Sequence, residues 1–184
     1  MAKISVRGLA ECAIMLAIAT ILSFIPVYQL PFGGAVTLCS MTPILFLSFR
    51  YPVKWSLLTA LAFAIIQMLI AFYPPPAQTP LAFAGVVLLD YLVAFGVLGL
   101  AGFLARPFGG VKGVLIGGSL AIFVRFLCHF ISGIVIWGAY APEGQSVALY
   151  SFLYNGSYML GEWILTMVAL LVLTKLPIPN KMGA

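Results

Sequence analysis

The chain is expected to form an all-α membrane protein, a bundle of six transmembrane helices with the N and C termini cytoplasmic. Three observations predict this. Of the 184 residues, 64% are hydrophobic and 7% are charged, whereas an ordinary soluble domain carries about 25% charged residues. The apolar residues come in blocks close to the ~20 residues that an α-helix needs to cross the hydrocarbon layer. The blocks do not alternate apolar and polar residues as barrel strands do: the runs Ala13 to Ile25 and Ile164 to Thr174 are continuous.

The first block, 8–25, follows Lys3 and Arg7 as the apolar part of a signal peptide would. It is long, however, and leads into further spans without an obvious cleavage site, so it reads as a helix. A loop with Pro26, Pro31, Gly33 and Gly34 separates it from a second span, 35–49, which is short and irregular in character. After a tight turn at Tyr51-Pro52 comes the third span, 53–73, closed by the stiff stretch Pro74-Pro75-Pro76. The fourth, 81–104, ends before a glycine-rich turn beyond Pro107; the fifth, 113–138, and the sixth, 148–174, are joined around Pro142 and Gly144. No loop is long enough to hold a separate domain, so 1–184 reads as a single, multi-pass integral membrane domain.

The net charge of +5 invites a nucleic-acid reading. The positions of the basic residues argue against it. Lys3, Arg7, Arg50, Lys54, Arg106, Lys112, Lys175 and Lys181, eight of the nine, fall at alternate ends of the spans and hence on one side of the membrane. The positive-inside rule makes that side cytoplasmic. A nucleic-acid footprint would instead be one contiguous basic patch.

Cys12, Cys39 and Cys128 are odd in number and fall at different depths, against a disulfide framework. Cys128 and His129 are adjacent, and neighbours on a helix do not face each other, so they make no nucleophile and base pair. No metal-ligand spacing and no phosphate-binding loop of the Walker type occurs, so no cofactor, no metal and no catalytic residue is expected. Nothing in the chain can hydrolyse ATP alone.

Ionisable groups at membrane depth are functional candidates by default, because burial there is costly unless they are paired or face a cavity. Asp90, Arg125, His129 and Glu162 are such groups. Counting the helical rise inward from the outer ends puts Asp90 and His129 at one level, roughly 13 Å down, and Asn155 roughly 10 Å down. Arg125 and Glu162 lie deeper, near the midplane, and are expected to form a structural ion pair. That pairing leaves Asp90 without a fixed protein cation apart from His129. Trp137, Tyr150, Tyr154, Tyr91 and Tyr158 supply aromatic faces around it. An anion in such a setting suits a small, flat organic cation through charge attraction and cation–π contact.

Some of these residues also resemble a known family. Arg125 to Trp137 (RFLCHFISGIVIW), Tyr150 to Asn155 (YSFLYN), Leu89-Asp90-Tyr91 leading to Ala94-Phe95, and Ser40-Met41-Thr42-Pro43 after Gly33-Gly34 resemble the thiamine-specific S components (ThiT family) of energy-coupling-factor (ECF) vitamin importers. The six-helix layout is similar over the whole length, while the specific motifs lie mainly in spans 4 to 6. The resemblance implies a thiamine-binding subunit with a pocket in the outer half, capped by the first loop. It implies substrate contacts from Asp90, His129, Tyr150 and Asn155, stacking by Trp137, and an aromatic wall and lid from Tyr73 and Phe32. It further implies that Ala10, Ala13 and Ala17, which share one face of helix 1, dock against a membrane coupling subunit (EcfT-like) driven by two ATPase subunits. The likeness departs in two places: the first loop offers Tyr28 and Phe32 in place of a tryptophan, and the acidic residue is Asp rather than the longer Glu.

Two other functions fit parts of the pattern. A self-sufficient proton-coupled secondary transporter of a small organic cation would use Asp90 and Glu162 as proton carriers, but no internal repeat is evident. A membrane enzyme would use Asp90 and His129 as acid and base, but no positioned nucleophile or metal motif accompanies them.

Overall fold

The computed structural model describes residues 4–176; Lys3 and Lys181, used above for orientation, lie outside them. Six helices carry the fold: α1 (Val6–Ser23), α2 (Thr42–Arg50), α3 (Val53–Ile70), α4 (Pro80–Ala105), α5 (Gly110–Val135) and α6 (Val147–Lys175). Five of them, all except α2, are long and apolar enough to cross a membrane. Most of their surface faces outward: the share buried inside the bundle ranges from 17% for α1 to 39% for α4. Apolar faces turned away from a core need a lipid solvent, and a bundle in water would bury them.

The second span differs from expectation. Residues 35–49 do not form one helix: Ala35–Thr37 is a strand, β2, paired antiparallel with β1 (Pro26–Gln29), and the helix begins only at Thr42. The nine residues of α2 span about 13 Å at the helical rise, too short to cross the ~30 Å hydrocarbon layer. Its side chains explain why it persists: Thr42 through Ser48 are all buried, and α1, α3, α4 and α6 surround it. Met41, Ile44 and Leu45 form the centre of the core with Phe63, Leu98 and Leu170. The short helix is thus an axle about which the long ones pack.

Small residues let the helices approach closely. At Gly102 of α4 an added Cβ would lie 1.7 Å from the Ser48 carbonyl oxygen of α2, and at Gly117 of α5 it would lie 2.4 Å from the Ala101 carbonyl oxygen of α4. The Gly102 amide donates to Ser48 Oγ at 3.1 Å, which joins α4 to the buried helix. At the basic end, Glu11 of α1 meets Arg50 Nη2 at 3.2 Å and accepts from the Tyr51 hydroxyl at 2.6 Å. At the other end, Gln67 of α3 donates to Ser23 Oγ at 2.9 Å. α1 is therefore pinned to its neighbours at both ends while its middle turns outward.

Gly102→Ala should lower stability by about 1–3 kcal/mol, the cost of overpacking a filled crossing. Gly156→Ala, where the nearest atom would be 4.0 Å away, should cost nothing and gain up to about 1 kcal/mol from helix propensity. Thermal unfolding of the two variants in detergent would check the pair.

Candidate substrate-binding site

α4 is not a uniform helix. Between Pro80–Val86 and Ala94–Gly96 it winds as a π-helix over Val87–Val93. Such wider turns occur mainly at functional sites, where they re-aim a side chain. Asp90 lies in this stretch, with its side chain turned toward α5 and only 14% exposed. His129 Nδ1 lies 3.0 Å from Asp90 Oδ1. The hydroxyl of Ser132 donates to Asp90 Oδ2 at 2.7 Å, and Trp137 Nε1 donates to the same oxygen at 3.0 Å. Arg125 Nε donates to His129 Nε2 at 3.4 Å, which leaves the imidazole proton on Nδ1 to donate to Asp90.

The equal depths inferred from helical rise for Asp90 and His129 thus correspond to a direct contact. One part of that reading needs correction, since Asp90 is not short of partners: three donors hold it. All three are neutral, so the carboxylate is hydrogen-bonded but meets no cation directly. The imidazole separates it from Arg125.

The expected ion pair between Arg125 and Glu162 is absent among the described residues. The Arg125 guanidinium instead stacks over the Phe95 ring, 4.0 Å from its centroid, and reaches His129. Glu162 is taken by the ribbon: its Oε1 accepts from the amide and the hydroxyl of Thr37, both at 2.6 Å. A backbone strand supplies the donors that an arginine was expected to supply.

Above Asp90 lies a set of rings. Trp137 meets Tyr73 at 5.8 Å between centroids and Tyr140 at 6.1 Å. Phe32, in the turn of the β1–β2 ribbon, stacks on Tyr140 at 4.1 Å, nearly parallel, and meets Tyr73 edge-on at 6.2 Å. Tyr91 fixes the Tyr73 segment by accepting from its amide at 3.3 Å and donating to the Ala71 carbonyl at 2.8 Å. Tyr150 tilts against Tyr154 at 5.8 Å. The Tyr154 hydroxyl accepts from the Gly34 amide at 3.0 Å and donates to the Pro31 carbonyl.

Asn155, on α6, meets α5 at His129. It is buried, its amide donates to the His129 carbonyl at 3.2 Å and the Ser151 carbonyl at 3.0 Å, and its oxygen accepts from Tyr158 at 3.0 Å. The bond to His129 ties α6 to α5, while those to Ser151 and Tyr158 run within α6. Ser132 and Tyr140 belong to the site but were missed in the sequence. Ser132 is three residues after His129 and therefore on its face, a signal that was available. Tyr140 lies in an irregular turn, Gly138–Tyr140, where periodicity says nothing. Ala10, Ala13 and Ala17 are exposed, and the positions of α1 buried against the bundle are Gly8, Cys12 and Ala19, so the alanine face does not serve internal packing.

Comparison with known proteins bears on this arrangement. The model of the family described as "Thiamine transporter protein" (Thia_YuaJ) matches residues 9–180. The chain belongs to the thiamine transporter family. The thiamine transporter ThiT of Bacillus subtilis (strain 168) is 36% identical over 179 residues, which cover 90% of this chain and 88% of that protein. ThiT of Lacticaseibacillus paracasei is 37% identical over 100 residues, 47% of this chain and 48% of that one. Among solved structures, ThiT from Listeria monocytogenes superposes with a TM-score of 0.68 at 23% identity, covering 90% of this chain and 92% of that chain. The S component for biotin from an ECF-type ABC transporter gives 0.63 at 19%, covering 91% and 88%. At those identities the two structures show a shared fold.

As a thiamine transporter family member, the chain is a multi-pass membrane protein and a transporter, not an enzyme. Asp90 and His129 are accordingly not the acid and base of a membrane enzyme. Ser132→Ala in this family member should cost about 1–3 kcal/mol of stability, because one donor to a buried carboxylate oxygen is lost. Chemical unfolding of the ligand-free protein in detergent would show it; an unchanged midpoint would mean that water replaces the hydroxyl.

Proposed function

We propose that the chain is the high-affinity thiamine-binding subunit, or S component, of an ECF-type importer, and that it captures thiamine from the outer side. The observation that carries this reading is the Asp90 carboxylate, held by three neutral donors under a set of aromatic rings. Family membership and the S-component fold support it. Thiamine joins a cationic thiazolium ring to a flat aminopyrimidine. Asp90 supplies the charge that balances the first, strengthened by the low-dielectric surroundings. Trp137 and Tyr73 offer faces to the rings, with His129 beside them, and Phe32 closes from above. Tyr150 supplies a hydroxyl at the rim, and Asn155 sets the spacing of the wall through its bond to α5.

The chain holds no nucleotide-binding motif, so release inward requires an energy source from elsewhere. In this reading the exposed face of Ala10, Ala13 and Ala17 lets a membrane coupling subunit approach the α1 backbone closely, with two ATPase subunits driving it.

Asp90→Asn should weaken thiamine binding by about 2–5 kcal/mol, the cost of removing one partner of a buried charge pair. Isothermal titration in detergent measures this, and an undiminished affinity would sink the assignment. Ala13→Trp should leave that affinity intact but lower cellular uptake by about tenfold or more, since a large side chain blocks close helix approach. Vesicles containing the purified chain alone should bind thiamine without accumulating it. Accumulation under a proton gradient would favour the secondary-transporter reading.

A further inference from the structure

We infer that Glu162 is the latch of the β1–β2 ribbon, a positioning residue that holds the ribbon closed over the Asp90 site and thereby sets how long a bound ligand stays. The inference rests on the reading of that site as a ligand site.

The ribbon is thinly attached. All four residues of β1 are exposed, and within 26–37 only Gly34 and Val36 are buried. Its polar ties to the bundle run to α6, at two points. At its tip, Tyr154 accepts from the Gly34 amide and donates to the Pro31 carbonyl. At its base, Glu162 Oε1 takes both the amide and the hydroxyl of Thr37, and that hydroxyl is also 2.6 Å from Ser40 Oγ. Tyr154 and Glu162 are eight residues apart on α6, slightly over two turns, which puts both on one face toward the ribbon.

The backbone at the tip tie and just beyond the base tie is held against its own preference. Phe32 has φ +64° and Cys39 φ +58°, and both are non-glycine residues in the left-handed region. Such conformations persist only where the surroundings over-determine them. Releasing the tip anchor would let Phe32 relax, so the strain there favours opening and the anchors oppose it.

The side chain at 162 is chemically informative. It is 3% exposed, its second oxygen Oε2 is buried without a hydrogen-bond partner, and no Lys or Arg lies in ion-pair contact with it among the described residues. A carboxylate at this depth is a costly way to hold a fold. What it provides is two short bonds on one oxygen, each of 2.6 Å. Those bonds end at the segment that carries Phe32, whose ring covers Tyr140, Tyr73 and, behind them, Trp137 and Asp90. A ligand leaving Asp90 between these rings has to displace Phe32, and Phe32 moves when the ribbon does.

Two readouts on the full chain in detergent test this. One is hydrogen exchange of the ribbon peptide without ligand, and the other is thiamine dissociation followed by stopped-flow tryptophan fluorescence. Glu162→Ala should speed both by about tenfold or more, because the same two bonds hold the ribbon with and without ligand. Glu162→Gln should restore part of the effect, because a neutral acceptor remains. Thr37→Val should speed both, and should add nothing further to Glu162→Ala if the effect passes through this contact. Should Glu162→Ala not fold, Glu162→Gln and Thr37→Val carry the comparison. Unchanged ribbon exchange in these variants, or full additivity of the two substitutions, would overturn the latch. Faster exchange in a protein that binds no thiamine would support the latch and overturn the thiamine reading instead.

Discussion

A carboxylate sunk below the membrane surface has to be met by donors, and the outer half of this protein is arranged around meeting Asp90. The donors come from α5 and the turn that follows it: His129 and Ser132 on one helical face, and Trp137 just past the helix end at Val135. Close approach of α5 to α6 follows from the same need. A Cβ at Gly133 would lie 2.1 Å from Ser151 Oγ, and Asn155 ties the two helices across that contact. With three neutral donors the carboxylate is hydrogen-bonded but not paired with a cation.

The ribbon poses a second problem in the same solvent, since strands exposed to hydrocarbon leave backbone groups without partners. Here the two strands satisfy each other, and α6 side chains take the amides of Gly34 and Thr37. Beneath the ribbon, α2 completes the path through the bundle as a fully enclosed helix. One wall is therefore built from a short helix and a hydrogen-bonded ribbon, while the other five are continuous helices.

Much of this was legible in the sequence because length and apolarity decide which segments span a membrane, and because helical rise fixes depth. Asp90 and His129 came to one level on depth alone, and they meet in the structure. Depth does not fix rotation, so the π-helical turn that aims Asp90 at α5 was not visible, nor was the bond of Asn155 to the His129 carbonyl. The mistaken pairing of Arg125 with Glu162 has a related origin. Pairing side chain with side chain overlooks the backbone, and the amide of Thr37 became available only because residues 35–37 form a strand and not a helical turn. The block 35–49 is apolar enough for a helix, and what interrupts it is a tertiary demand, the partnership of β2 with β1 and α6, that no local pattern records.

The wide turn at Val87–Val93 amounts to one residue more than a regular helix would use over the same height. Each residue of an α-helix advances about 100° around the axis, so that one surplus residue resets the heading of everything on its far side. Below it, Phe95, Leu98 and Ala101 point inward; above it, the segment from Pro80 keeps its own orientation. Substitutions within 87–93 would alter surfaces one at a time. Loss of a single residue there would swing one half of the helix about a quarter-turn against the other, and would cost the protein its anion or its core without changing a single side chain in either.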